Sequence, residues 1–190
     1  MNIGVLALQG SVAEHLKMIT SINKKYGAIP VKTIDELAAV DGLIIPGGES
    51  TTLRKLMDVF NLYTPVRERI VAGMPVWGTC AGLILLADRI EGERQYLGLL
   101  DVDVKRNAYG RQLDSFVDEG DFDDIYIRRV FIRAPVITRV GEGVTVLSEC
   151  NGAPVAVRQG NILATTFHPE MTPRDNRVHK YFCSMIESKE

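Results

Sequence analysis

Cysteine is scarce in this chain: three residues in 190, at positions 80, 150 and 183. So few, odd in number and widely spaced, they exclude a disulfide framework and a cysteine-rich zinc site, and they suit a reducing compartment, the cytoplasm. A surplus of either charge is also missing. The 22 basic and 24 acidic residues leave a formal net charge of −2. Binders of nucleic acid or anionic membranes usually carry a basic excess, so neither is an expected partner. No apolar run approaches the ~18 residues of a spanning helix. The first ten residues carry no charged segment ahead of their apolar ones, so no secretory signal is expected either. Internal repeats, low-complexity tracts and linkers are absent. With 46% hydrophobic residues, the chain is expected to form one globular domain spanning 1–190.

What is present is an alternation of strand and helix signals. The apolar run 3–8 has the length of a buried parallel strand. Ser11 can cap the next helix, in which Val12, Leu16, Ile19 and Ile22 recur on one face, and Gly27 is expected to end it. Further strands are predicted at 29–31, 43–45 and 75–77. Helices are predicted at 35–40, from Ser50 or Thr51 through Val59, from Thr64-Pro65 to about residue 72, and at 83–89. The second half changes character. Short strands are predicted at 97–104, 125–131, 144–148, 154–158 and 162–167, before an amphipathic helix at 176–187. The two halves are expected to share one sheet and one core. The fold class is α/β, with a mostly parallel sheet and antiparallel additions in the second half. An open parallel sheet carries its site beyond the carboxyl ends of its strands. The turns 46–50 and 78–82 both fall there.

Gly78-Thr79-Cys80-Ala81-Gly82 has the spacing of a nucleophile elbow, with Cys where hydrolases carry Ser. A nucleophile on such a turn is strained, and glycine at −2 and +2 lets strand and helix pack closely. The helix start favours a thiolate, and the Ala81 N–H would face an oxyanion formed on a substrate. The competing reading is a buried packing cysteine at a strand end. Cys150, before an Asn-Gly turn, and Cys183, beside Phe182 in the last helix, read as structural.

A thiol nucleophile needs an oriented base. His15 and His179 read as partly exposed helix residues. His168 follows an apolar strand and precedes Pro169-Glu170, so Glu170 can fold back and fix its tautomer. A zinc-deaminase reading of His-x-Glu fails for want of a Pro-Cys-x-x-Cys pair, and His168 with Glu170 alone are too few ligands for a metal. A purely structural turn stays open. Gly47-Gly48 lacks the Lys-Ser/Thr of a phosphate loop. It reads either as a plain turn or as a backbone donor, at Gly48, that a substrate can approach closely.

Taken together, Pro46-Gly47-Gly48-Glu49-Ser50-Thr51-Thr52, the Cys80 elbow and Phe167-His168-Pro169-Glu170 resemble the class I, triad-type glutamine amidotransferases. A narrower resemblance is to the glutaminase subunits of pyridoxal 5′-phosphate synthases. It rests on Gly4-Val5-Leu6-Ala7-Leu8-Gln9-Gly10, on Arg106-Asn107-Ala108-Tyr109-Gly110-Arg111-Gln112 with Ser115-Phe116, and on Phe131-Ile132-Arg133-Ala134-Pro135. Ile84 stands where many class I members carry Gln after the elbow, in keeping with the narrower group. The resemblance implies a flavodoxin-like three-layer fold and hydrolysis of L-glutamine to glutamate and ammonia without a cofactor or metal. It implies Cys80 as nucleophile, His168 as base and then acid, and Glu170 as its orienting group. It implies substrate contacts from Gly47, Gly48, Glu49, Arg106, Ile132 and Arg133. It implies that the partner receiving the ammonia is a synthase subunit.

Overall fold

The computed structural model describes residues 1–106 and 115–188. The chain opens β1 (Asn2–Leu6), α1 (Val12–Ile22), β2 (Gly27–Val31), α2 (Ile34–Ala38), β3 (Gly42–Ile45), α3 (Ser50–Val59) and α4 (Tyr63–Val71). It continues β4 (Val76–Thr79), α5 (Ala81–Leu86), β5 (Ala87–Ile90), β6 (Leu100–Lys105), β7 (Ser115–Phe122) and β8 (Ile125–Ile132). It closes with β9 (Val136–Val140), β10 (Thr145–Cys150), β11 (Ala153–Gln159), β12 (Ile162–Thr165), a 3-10 turn (Pro169–Met171) and α6 (Arg177–Glu187).

Seven strands form the main sheet in the order β10-β11-β12-β4-β3-β1-β2. From β12 to β2 every pair is parallel, whereas β10 and β11 extend the sheet antiparallel. Pro30 sits on β2, an edge strand, where its missing N–H breaks no ladder.

Side chains on a strand alternate between faces, and here both faces are covered. Leu43 and Ile45 enter one apolar cluster with α2–α5, while Ile44 enters the other with α1 and α6. Val76 and Trp77 divide the same way, as do Ile162 and Leu163. The result is three layers. Each fully buried Leu, Ile or Val contributes roughly 1.5–3 kcal/mol, so continuous apolar runs such as Leu43-Ile44-Ile45 hold helices onto both faces at once.

The α/β class and the antiparallel additions agree with the sequence reading, but the expected single sheet and single core do not. Sheets β5-β6-β9 and β7-β8 stand apart from the main one, and the core is two clusters separated by the central sheet. Several boundaries also move. α1 stops at Ile22, because Asn23 is already extended (φ −152°, ψ 126°), and Gly27 opens β2 instead of ending the helix. α4 starts two residues before Pro65, which lies in the first turn where an N–H is free in any case. The apolar stretch predicted as a helix over 83–89 is α5 followed directly by β5.

Candidate active site

The main sheet reverses its strand order beside β1: the chain steps from β1 to β2 on one side and places β3 on the other. Ligands of doubly wound sheets sit beyond the carboxyl ends at such a point. A cavity of about 550 Å³ opens there. The turn after β1 and the turn after β3 are tied across it. The Ser11 N–H donates to the Gly47 carbonyl at 3.0 Å, and the Glu49 N–H donates to Gln9 Oε1 at 2.9 Å.

Cys80 stands between β4 and α5 with φ 48° and ψ −99°, a backbone region that non-glycine residues rarely occupy. Its neighbours explain how the turn closes. A β-carbon on Gly78 would come within 2.5 Å of the Gly82 backbone, and one on Gly82 would collide with the Ile45 carbonyl. The Cys80 N–H donates to the Thr165 carbonyl at 2.8 Å, which pins the elbow to β12. Ala81 opens α5, so its N–H is one of the donors a helix start leaves free. Cys80 and Ala81 both line the cavity.

His168 and Glu170 come from the turn after β12. The His168 N–H donates to the Val130 carbonyl at 2.8 Å, and Pro169 starts the 3-10 turn that brings Glu170 back under the ring. Nδ1 lies 2.7 Å from Glu170 Oε1. A carboxylate only accepts, so Nδ1 carries the proton and donates. The ring shares the cavity with the Cys80 side chain, whose Sγ lies 3.9 Å from the Ile132 carbonyl oxygen. Burial works against the imidazolium, but the Cys80 and Glu170 side chains and their charges outweigh it and push His168 up to about 10. Burial likewise opposes the Glu170 carboxylate. The His15 and His168 rings and the Ser11 hydroxyl overcome it and hold Glu170 down at about 2. A thiol paired to an imidazole that a buried carboxylate orients is the arrangement that acyl-transfer chemistry requires.

The remaining residues picked out from the sequence lie on the same cavity: Gly47, Gly48 and Glu49 from the turn after β3, Arg106 after β6, Ile132 at the end of β8 and Arg133 just after it. A β-carbon on Gly47 would strike the His168 ring. Glu49 also caps α3, accepting from Thr51 N at 3.1 Å and Thr52 N at 2.7 Å. Burial raises its pKa, but these N–H groups and the Thr52 hydroxyl prevail and lower it to about 2. Arg106 is held between two carboxylates, Glu49 and Glu93, each at 3.0 Å. Exposed Arg133 adopts φ 44° at the cavity wall. Residues 107–112, which carry part of the narrower resemblance, lie outside the described residues.

Three corrections concern polar residues. Ser11 does not cap α1 with its side chain; its hydroxyl donates to Glu170 Oε1 at 2.6 Å instead. His15 and His179 are not partly exposed: they are 0% and 1% accessible, and their rings meet behind Glu170. Their helical spacing gave no sign of this, because the faces that bury them are fixed by α1 and α6 packing on the same side of the sheet. Gln9 and Ser50 were also missed. Both line the cavity, and the buried Ser50 hydroxyl has no hydrogen-bond partner among the described residues. Cys150 and Cys183 are buried away from the cavity, Cys150 Sγ donating to Asp118 Oδ2 at 3.1 Å.

A doubly wound sheet with a strained cysteine elbow, a His-Pro-Glu turn and a cavity between them defines a protein of the glutamine amidotransferase class. A solved structure described as a glutamine amidotransferase superposes with a TM-score of 0.90 at 43% identity, covering 97% of this chain and 98% of that one. A chain of the solved PurLQS from Thermotoga maritima shares the fold, with a TM-score of 0.71 at 14% identity over 100% of this chain and 98% of its own. The family model of the SNO glutamine amidotransferases matches residues 5–188, and the chain belongs to that family. Curated relatives named pyridoxal 5′-phosphate synthase subunit PdxT include that of Shouchella clausii, 50% identical over 100% of this chain and 97% of its own. The PdxT of Mycobacteroides abscessus is 51% identical over 98% of this chain and 97% of its own.

Proposed function

We propose that this chain is the glutaminase subunit of a pyridoxal 5′-phosphate synthase, hydrolysing L-glutamine in the cytoplasm and passing ammonia to a synthase subunit for vitamin B6 biosynthesis. The observation that carries the chemistry is the His168 ring, which lines one cavity with Cys80 and is hydrogen-bonded at Nδ1 to buried Glu170. The relatives' shared name supports the partner.

The Cys80 thiolate attacks the side-chain amide carbon of glutamine and forms a tetrahedral oxyanion. Backbone N–H groups of Gly48 and Ala81 receive that oxygen, each contributing about 3–4 kcal/mol to the transition state. The carbon–nitrogen bond breaks as the His168 imidazolium gives its proton to the departing nitrogen, releasing ammonia and leaving a γ-glutamyl thioester. Water then attacks the thioester and His168 takes its proton. Collapse of the second tetrahedral species releases glutamate and restores the thiolate. Glu170 holds the Nδ1–H tautomer and stays ionised throughout. Arg133 and Arg106 offer cationic partners for the substrate α-carboxylate, and Glu49 offers an anionic one for its ammonium.

The test is Cys80→Ala in the presence of the synthase subunit. A folded variant without glutamine hydrolysis is expected, and retained turnover refutes the assignment. Copurification of the two subunits, and faster turnover in the complex than by the free chain, are expected of the partnership; equal rates count against docking as an activator.

A further inference from the structure

Glu170 is buried with two oxygens to satisfy. Oε1 accepts from Ser11 Oγ at 2.6 Å and from His168 Nδ1 at 2.7 Å. Oε2 makes no hydrogen bond among the described residues. What faces it is His15 Nε2 at 3.5 Å, both side chains being fully inaccessible. The same nitrogen lies 3.3 Å from Thr79 Oγ1. The opposite nitrogen of His15, Nδ1, lies 3.0 Å from His179 Nε2. His179 Nδ1 is buried with no partner among the described residues.

The proton positions follow from this inventory. Between the two rings one nitrogen donates and the other accepts, which leaves two arrangements of neutral histidines. In the first, His179 Nε2–H donates to His15 Nδ1, so the proton of His15 is on Nε2 and faces the Glu170 carboxylate. The orphan His179 Nδ1 is then a bare lone pair. In the second, His15 Nδ1–H donates to His179, so a lone pair of His15 faces Glu170 Oε2 and a buried N–H of His179 goes unmet. Thr79, as a hydroxyl, fits either arrangement. The second sets a lone pair of His15 against a carboxylate that only accepts, while His179 Nδ1 goes unmet in either arrangement. The first is selected. Trp77 makes T-shaped contacts with both rings, with centroids 5.5 Å from His15 and 4.8 Å from His179.

We propose that His15, with its tautomer set by His179, is a positioning residue for glutamine hydrolysis: its Nε2–H faces Glu170 Oε2 and holds the carboxylate in the orientation that aims His168 at Cys80. This rests on the functional reading above. His15 touches neither thiol nor cavity and acts through Glu170. The titratable groups around the relay are Glu14 on the same helix as His15, His168 and Glu170 from the turn after β12, His179 on α6 and Asp175 ahead of it, with Cys80 facing His168. Burial lowers both His15 and His179, so both are neutral at pH 7.

The experiment measures glutamine hydrolysis against pH, with the synthase subunit present, for wild type, Cys80→Ala, His15→Leu and His15→Gln. His15→Leu removes the donor and keeps an apolar bulk; His15→Gln restores an N–H of similar reach. The expected result is a kcat about tenfold lower in His15→Leu with KM within about twofold. Its acid limb moves to higher pH, because the carboxylate has lost a group that favours its charged form, and His15→Gln recovers most of both effects. A rate loss with the limb unmoved, or no rescue by His15→Gln, overturns the inference. Wild type without activity, or active Cys80→Ala, instead refutes the reading beneath it. Nitrogen NMR of the histidine-labelled wild-type protein needs no variant to fold: His15 is expected as the Nε2–H tautomer, and a neutral Nδ1–H form overturns the proposal.

Discussion

Ser11 and Glu170 are 159 positions apart in sequence and 2.6 Å apart in space, joined by a hydroxyl donating to a buried carboxylate. The bond closes the site from beneath. It links the turn after β1 to the turn after β12, and the Ser11 N–H simultaneously holds the Gly47 carbonyl at 3.0 Å. One residue therefore couples the carboxylate of the His-Pro-Glu turn to the glycine turn on the opposite wall. Ser11→Ala removes the side-chain bond and keeps the backbone one. Hydrogen bonds to charged groups contribute about 1.5–3 kcal/mol, so the unfolding free energy is expected to fall by that order in a urea titration at neutral pH. An unchanged midpoint would show that the bond contributes nothing net.

Gly47 tests how tightly the cavity is built. Its missing β-carbon leaves the space that the edge of the His168 ring occupies. Gly47→Ala forces the ring to shift while leaving every hydrogen-bonding group of the turn in place. Displacements of about 1 Å at a reacting group can lower rates on the order of a hundredfold. The expected outcome is a kcat reduced by that order with a thermal midpoint close to wild type. A variant with wild-type kcat would mean that the ring tolerates displacement.

Much of this site is legible locally in the sequence, and what is missing is missing for a reason. Gly78-x-Cys80-x-Gly82 announces itself because close packing at −2 and +2 excludes any β-carbon, and proline after His168 forces a turn within two residues of Glu170. Ser11, Gln9, His15 and His179 meet partners that are distant in sequence, and no short-range spacing encodes those partners. His15 falls at a helical spacing that an exposed residue could equally occupy; only the arrival of α6 on the same face buries it. The same limit applies to the fold. Buried strands such as β3 read as apolar runs. The β7 strand, Ser-Phe-Val-Asp-Glu-Gly-Asp-Phe, has mostly exposed or half-buried residues and carries little hydrophobic signal.

Glu170 also sets an acid limit to stability. Its pKa is about 2 in the folded chain, against an ordinary value of 4.5. Because the folded value is the lower one, the contribution is fully present above pH 4.5 and is lost as pH falls towards 2. His15 and His179 act in the same direction at higher pH. Buried and neutral, both are lowered from 6.5, so acidification below that value favours the unfolded state that can protonate them. His168 runs the other way. Raised from 6.5 to about 10, it stabilises the fold fully below 6.5 and ceases to as pH rises through 10. Glu170→Gln removes the carboxylate charge. Urea unfolding across pH is expected to show wild type more stable at pH 6, on the order of 3 kcal/mol from the Glu170 shift alone, and the gap closing towards pH 2. A gap independent of pH would mean that the carboxylate is not the source.

The three thiols differ in setting, and a thiol reagent can read the difference. Cys80 opens onto a cavity of about 550 Å³ and is paired with His168. Burial, with the charge of Glu187, pushes the Cys183 thiol up to about 12 inside α6. Burial and the hydrogen bond to Asp118 raise Cys150. Only a thiolate reacts readily with an alkylating electrophile. A chloroketone analogue of glutamine, applied at pH 7.5 to the folded chain with its synthase subunit, is therefore expected to label Cys80 alone, with one adduct by intact mass and its position read from peptides. Excess L-glutamine should slow that labelling by occupying the same cavity, whereas a general reagent in urea should label all three. Equal labelling of Cys80 and Cys183 in the folded chain would contradict the assignment of Cys80 as the single nucleophile, and labelling indifferent to glutamine would separate the thiol from the substrate site.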